Sequence, residues 1–282
     1  MLLGERWYFA NETDNYTGTP AAAFGTSVTP GTSNADGTSV TLLSALGHDV
    51  HYLVVGLSGF LVSTAAHYCL LDILQDPTGG TTWASLADDL VCGYTNAAGT
   101  APAVATLWYH FPVFIKSGTS LGSRARTSHT STVAGKVSIF AYGNPSRPDA
   151  WWCGQGIETL GVTAASSIGT SITPGNTGTY GSWTNIGGTS NARYGAVQWG
   201  LNGTDATAAN NGYYFQIGYG SNILPGASTG YSVITTIEQS AFLRPDGPIW
   251  CDIASGTQFQ MRGTANGTAE IWAGGAAIYG VY

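Results

Sequence analysis

Apolar and polar residues alternate in short runs along the first half of the chain, in TSVTLL, HYLVVGL, YCLLDIL, WYHFPVFI and KVSIFAYG. A period of two puts every second side chain on one face, the mark of a half-buried β-strand. Clusters of Gly, Pro or Asn break these runs every 8 to 15 residues or so, which predicts seven or eight strands in this half. One segment departs from the pattern. In TTWASLADDLVCGY, Thr82 can cap a helix, Trp83, Leu86, Leu90 and Val91 share a helical face, and Gly93 can end it. One short helix is therefore expected there, in the first half alone. The longest apolar run, from Tyr52 to Val62, is broken by two Gly and a Ser and falls far short of the roughly 20 residues that cross a bilayer. No membrane insertion is expected.

The pattern also repeats. TSVTPG at Thr26–Gly31 returns as TSITPG at Thr170–Gly175, an offset of 144 (170 minus 26). The same offset carries Trp7-Tyr8 onto Trp151-Trp152, Gly25 onto Gly169, Gly37 onto Gly181, and Gly56–Gly59 onto Gly200–Gly203. Farther on, IKSGTSLGSR at Ile115–Arg124 returns as IASGTQFQMR at Ile253–Arg262, an offset of 138 (253 minus 115), so the first copy carries about six extra residues in its middle. Each copy closes on an aromatic strand, VSIFAYG or AAIYGVY. A period this long is a whole domain rather than a solenoid unit. The expected architecture is all-β: two tandem, duplicated antiparallel β-sandwiches, residues 1–146 and 147–282, divided at the Pro- and Asn-bearing NPSRPDA. The strand count and long connections suit a jelly roll, with an immunoglobulin-like sandwich as the competing topology.

Composition changes this picture in one respect. Of 282 residues, 43% are apolar and 40 are Gly, but only 9% are charged, against roughly 25% in ordinary soluble domains. So little charge suggests a surface covered by neighbouring subunits, the alternative being a surface made soluble by Ser, Thr and Asn. The net charge of −7 and the presence of only two Lys, at 116 and 136, leave no basic patch for phosphates, so nucleic acid is not an expected partner. Glu5 and Arg6 stand where a signal peptide needs its apolar core, so secretion by that route is not expected. Cys69, Cys92, Cys153 and Cys251 show no metal-ligand spacing and read as buried thiols, one disulfide remaining open.

Chemistry is hard to find. Asp88-Asp89 is the one adjacent acid pair, on the polar side of the expected helix, where a solvated face accounts for it. His48, Asp49 and His51 resemble a metal cluster, but on a strand residues 48 and 51 face opposite ways. The repeat also puts Ala192 and Gly195 in place of the two His. His67, His110 and His129 are isolated in the sequence, and no triad is read from them. No catalytic residue, metal site or cofactor is expected. Arg124 and Arg262 recur at matching places, either tying strands or subunits together by charge-assisted hydrogen bonds or guarding an edge strand. Trp7 and Trp151 match between copies, as packing residues would. Trp183 and Trp199 lack aromatic counterparts and are the candidates for exposed, sugar-stacking rings.

The paired TPG turns, LLDILQDPTGGTTWASLADDLVCGY and WYHFPVFIKSGTSLGSRAR together resemble Gly/Thr-rich virion structural proteins of tailed bacteriophages. That resemblance implies a non-enzymatic β-sandwich subunit of a head decoration, spike, fibre or tail element, assembled in the host cytoplasm and resident in the virion. Its implied partners are further copies of itself, as a trimer or other homo-oligomer, and other virion proteins. The alternative is a tail-fibre or head-spike module that binds host-surface polysaccharide.

Overall fold

The computed structural model describes residues 8–10, 25–60, 67–95, 107–130, 134–143, 152–162, 169–205, 211–220, 222–233, 240–241, 248–267 and 272–282. Trp7, Trp151 and the segment 144–150 lie outside them. The described residues are all-β and form four antiparallel sheets arranged as sandwiches. In the first half, β1 (Tyr8–Ala10), β2 (Thr26–Val28), β4 (Tyr52–Ser58), β7 (Leu107–Phe111) and β9 (Gly135–Gly143) form one sheet, in which β9 pairs with β1, β2 and β4, and β4 with β7. The second sheet runs β3 (Val40–Leu43), β8 (Ser120–Thr127), β5 (His67–Asp76), β6 (Ala84–Thr95). The second half repeats that order: β10 (Ile157–Leu160) and β11 (Thr170–Ser171) pair with β19 (Trp272–Val281), β19 with β13 (Tyr194–Asp205), and β13 with β16 (Ser240–Ala241) and β17 (Ile249–Ile253). Its other sheet runs β12 (Thr184–Thr189), β18 (Gln258–Ala265), β14 (Asn211–Tyr219), β15 (Asn222–Val233).

Alternation explains these strands. In β9, Val137, Ile139 and Ala141 are buried while Lys136, Ser138, Phe140 and Tyr142 are half-buried on the other face. The inward sets of both sheets meet in a core that includes Leu53, Val55, Leu71, Ile73, Leu121 and Ile139. A second core forms around Trp199, Phe215, Ile217, Phe259, Met261 and Ile278.

The repeated TPG segment builds the same arch twice. Gly31 N–H donates to Ala125 O (2.9 Å) and Gly175 N–H to Gly263 O (2.9 Å). Likewise Asn34 donates to Thr127 O and Gly178 to Ala265 O, both at 2.8 Å. Each arch turns through two left-handed residues, Ser33 and Asn34 (φ 53° and 69°) or Thr177 and Gly178 (φ 52° and 75°), closed by a hydrogen bond from residue i+3 to residue i as in a type I′ turn. The partners keep the offsets of 144 and 138 read from the sequence (175 minus 31, 263 minus 125).

The expected helix is absent. Residues 84–95 form β6, which pairs with β5 through three register shifts, and Asp89 there adopts φ 57°. Each bulge sets two residues against one and resets the alternation. Leu86, Ala87, Leu90 and Val91 thus all reach the core from a strand, although their spacing imitates a helical face. Thr82 caps nothing helical: its N–H, with the N–H and hydroxyl of Thr78, is bonded to the Asp76 carboxylate in the β5–β6 turn. That turn holds the six extra residues, since Leu74 pairs with Ser85 but Gly218 with Ile223, spans of 11 and 5.

Many of the glycines lie in strands beneath aromatic rings rather than in turns. A Cβ placed on Gly122 would stand 2.9 Å from Trp83, one on Gly56 2.7 Å from Trp108, and one on Gly195 2.1 Å from Trp152. A glycine leaves a hollow on the pleated surface, and a ring fills it.

The two halves also touch. β6 and β7 are edge strands of the two first-half sheets, and the outer face of β13 and β19 packs against them. Ala196, Ala277, Tyr279 and Val281 accordingly join the first half's core. Tyr279 Oη donates to Asp89 O (3.1 Å) and accepts from Val91 N–H (3.0 Å), Thr159 Oγ1 donates to Asp88 O (2.6 Å), and His110 N–H donates to Gln198 Oε1 (2.7 Å).

Candidate functional site

The outer face of the β12–β18–β14–β15 sheet carries a grouping of aromatic and polar side chains joined to one another by ring contacts and hydrogen bonds. Alternation in β18 buries Phe259 and Met261 and turns Gln258, Gln260 and Arg262 outward. Alternation in β14 buries Tyr213, Phe215 and Ile217 and turns out Tyr214 and Gln216. Gln216 and Arg262 are direct cross-strand partners. The Gln216 Oε1 accepts from Arg262 Nε (3.0 Å) and Nη2 (2.9 Å). The guanidinium carbon lies 4.4 Å from the centre of the Trp183 ring and 4.5 Å from that of Tyr180, within cation–π range of both. Tyr214, 41% exposed, meets Tyr180 edge-on, with centroids 6.5 Å apart. Beside them Gln260 Nε2 donates to Asn185 Oδ1 (2.8 Å). Burial is the main reason the Tyr180 phenol is pushed up, with Tyr214 adding to it and Arg262 opposing, so its hydroxyl stays protonated at neutral pH.

The matching face of the first half uses the same arginine differently. Arg124 sits opposite Asp72 across β8 and β5, with Nε 2.8 Å from Asp72 Oδ2 and Nη1 3.0 Å from Asp36 Oδ2. Asp72 also accepts from the Asp89 N–H (2.9 Å), and Asp89 is paired with Arg126. Burial raises the Asp89 carboxyl to about 6; Arg126 works against that rise, while Asp72, Asp88 and Asp36 add to it. At the repeat offsets, Gln216 stands for Asp72, Tyr180 for Asp36, and Arg262 for Arg124.

Several expectations are corrected here. Trp199 is 1% exposed and packs in the second core, where β13 alternates Val197, Trp199 and Leu201 inward, so it offers no face to a ligand. Trp183 does lie on the outer face, half-buried. Neither Arg124 nor Arg262 guards an edge, because β8 and β18 are interior strands; both tie neighbouring strands. Asp88 is exposed, but Asp89 is turned partly inward onto Arg126. His48 and His51 lie outside the named strands, and the His51 ring meets Phe114 edge-on at 5.6 Å. Among the described residues no group of three or more His, Cys, Asp or Glu could hold a metal ion, and all four cysteines are free thiols. Tyr180, Tyr214 and Gln216 were missed from sequence. The signal was available, since two of them replace acids at positions matched by the repeat beside a matched arginine.

No family model matches this chain, and no curated protein matches it. Among solved structures it is similar to the N-terminal CBM22-1-CBM22-2 tandem domain of Xyn10C from Paenibacillus barcinonensis, with 10% identity, 97% of this chain and 92% of that one covered, and a TM-score of 0.27.

Proposed function

We propose that the chain is a saccharide-binding module whose binding surface is the outer face of the β12–β18–β14–β15 sheet. The observation that carries this reading is the grouping of Tyr180 and Trp183, from the segment that leads into β12, with Tyr214, Gln216 and Arg262 on the interior strands β14 and β18. Sugars present apolar C–H faces rimmed by hydroxyls. They suit a surface where rings lie beside planar amide and guanidinium groups, held by cross-strand bonds before the ligand arrives. The scaffold is read as a duplicated jelly roll: with β1 and β2 (or β10 and β11) sharing the first strand position, and β16 and β17 sharing the sixth, each half pairs the first position with the eighth, the eighth with the third and the third with the sixth, while the other sheet joins second, seventh, fourth and fifth. A glycan array tests the reading: wild type should bind, and Trp183→Ala and Tyr214→Ala should weaken the signal without unfolding the chain. Absence of any glycan signal from wild type would remove it.

A second reading, a homo-oligomeric structural component of a tailed-phage virion, has its own support. The first half's open side is covered by β13 and β19 of the second. The corresponding side of the second half is bounded by β15 and β17, where Ile223 is 44% exposed and Trp250, paired edge-on with Trp152 at 5.9 Å, is 57% exposed. With only 9% charged residues, such a side favours association with another copy. Sedimentation should show a trimer or other oligomer; a stable monomer at all concentrations would count against it. The two readings combine in a fibre or spike that binds host polysaccharide.

A further inference from the structure

We infer that the saccharide taken by this face is acidic, its carboxylate seated on Arg262; the inference rests on the saccharide-binding reading above. An arginine has five N–H donors in a planar fork. Gln216 uses Nε–H and one Nη2–H through a single oxygen, so the edge formed by Nη1 and the remaining Nη2–H is left for a second acceptor. Among the described residues no carboxylate lies within ion-pair distance of Arg262, and the rings of Tyr180 and Trp183 fix the plane of the guanidinium. A planar, bidentate anion satisfies that edge, and a carboxylate is one.

The first half supplies the internal comparison. There the equivalent Arg124 holds Asp72 on Nε and Asp36 on Nη1, so its own chain provides both carboxylates. In the second half Gln216 replaces Asp72 with a neutral acceptor, and Tyr180 replaces Asp36 with an aromatic wall. The ligand carboxylate takes the place that Asp36 fills in the first half, and the sugar ring to which it is attached lies against the neighbouring Tyr180 and Tyr214. Uronate and sialate residues of polysaccharides have this chemistry: one carboxylate on a ring with an apolar face.

The test uses the full chain with oligogalacturonate and oligosialate, each beside its carboxyl-reduced counterpart, titrated by calorimetry. At least one acidic probe should bind about tenfold or more tightly than its reduced form, and added salt should weaken it. Arg262→Gln and Tyr180→Asp should both erase that preference. Tyr180→Asp supplies the internal carboxylate found in the first half, and an unchanged melting temperature shows that its effect is not unfolding. Arg262→Lys keeps the charge, removes the fork and should lose most of the preference. If reduced probes bind as tightly as acidic ones, or Arg262→Gln binds acidic probes like wild type, the acidic assignment is overturned and the saccharide reading stands. If no probe of either kind binds and the glycan array is also blank, the saccharide reading falls and takes this inference with it.

Discussion

Replacing Tyr279 by Phe tests how the halves are joined. The ring is fully buried, edge-on to Tyr109 at 5.3 Å and to Phe111 at 6.4 Å, and phenylalanine keeps both contacts. Only the hydroxyl is lost, and with it the acceptor for Val91 N–H and the donor to Asp89 O across the junction. Leaving a buried backbone group without its partner costs about 1–3 kcal/mol. Two such groups, the carbonyl the cheaper, bring the expected loss to about 2–4 kcal/mol. For a chain of this size that lowers the melting temperature by about 4–8 °C, at about 2 °C per kcal/mol. Differential scanning calorimetry with a single transition would read it directly. Tyr109 Oη donates to Val91 O (2.5 Å), so both hydroxyls grip one residue. A double-mutant cycle with Tyr109→Phe should show coupling of about 0.5 kcal/mol or more. A Tyr279→Phe protein melting within about 1 °C of wild type would refute the claim that this hydroxyl satisfies the bulged strand.

Other outcomes follow from the same geometry. Trp199→Ala opens a cavity in the second core and should cost about 3–5 kcal/mol, whereas Trp183→Ala should cost well under half as much; equal losses in chemical denaturation would contradict the burial difference. The Asp89 carboxyl titrates near 6 in the folded chain and near the ordinary 3.8 when unfolded, so the native state binds the extra proton between those values. Its contribution to stability is therefore fully present below about pH 4 and is lost as pH rises through 6, at no more than about 1.4 kcal/mol per pH unit. Asp89→Asn should flatten that part of a melting-temperature-against-pH curve; an unchanged slope would assign it to other groups. Gly122→Ala should push Trp83 off the sheet, shift its fluorescence and cost about 1–3 kcal/mol, and an unaltered spectrum would show that the ring does not need the hollow.

The strands were legible because period-two runs such as KVSIFAYG lie where one face meets a core and the other does not. β6 was not, because its three bulges break the alternation and leave a spacing that strand and helix share. The repeat located both arginines, but their partners depend on which residues cross-strand pairing sets opposite them, and pairing is a tertiary fact. Comparison of the two copies points to an exposed Trp199, whereas its own strand, AVQWGL, puts Val197, Trp199 and Leu201 in phase on the buried face. The contact between halves left no local mark, since Tyr279 fits a closing aromatic strand whether it faces inward or toward a neighbour.

The capping of the first half's open side by β13 and β19 gives the molecule a direction. One half finishes its neighbour with a surface that the neighbour does not offer in return, so the contact is heterologous, with a head and a tail. Carried from one chain to the next, such a contact cannot produce a two-fold pair. It closes into a ring if the rotation between copies divides a full turn, and otherwise runs on as a filament.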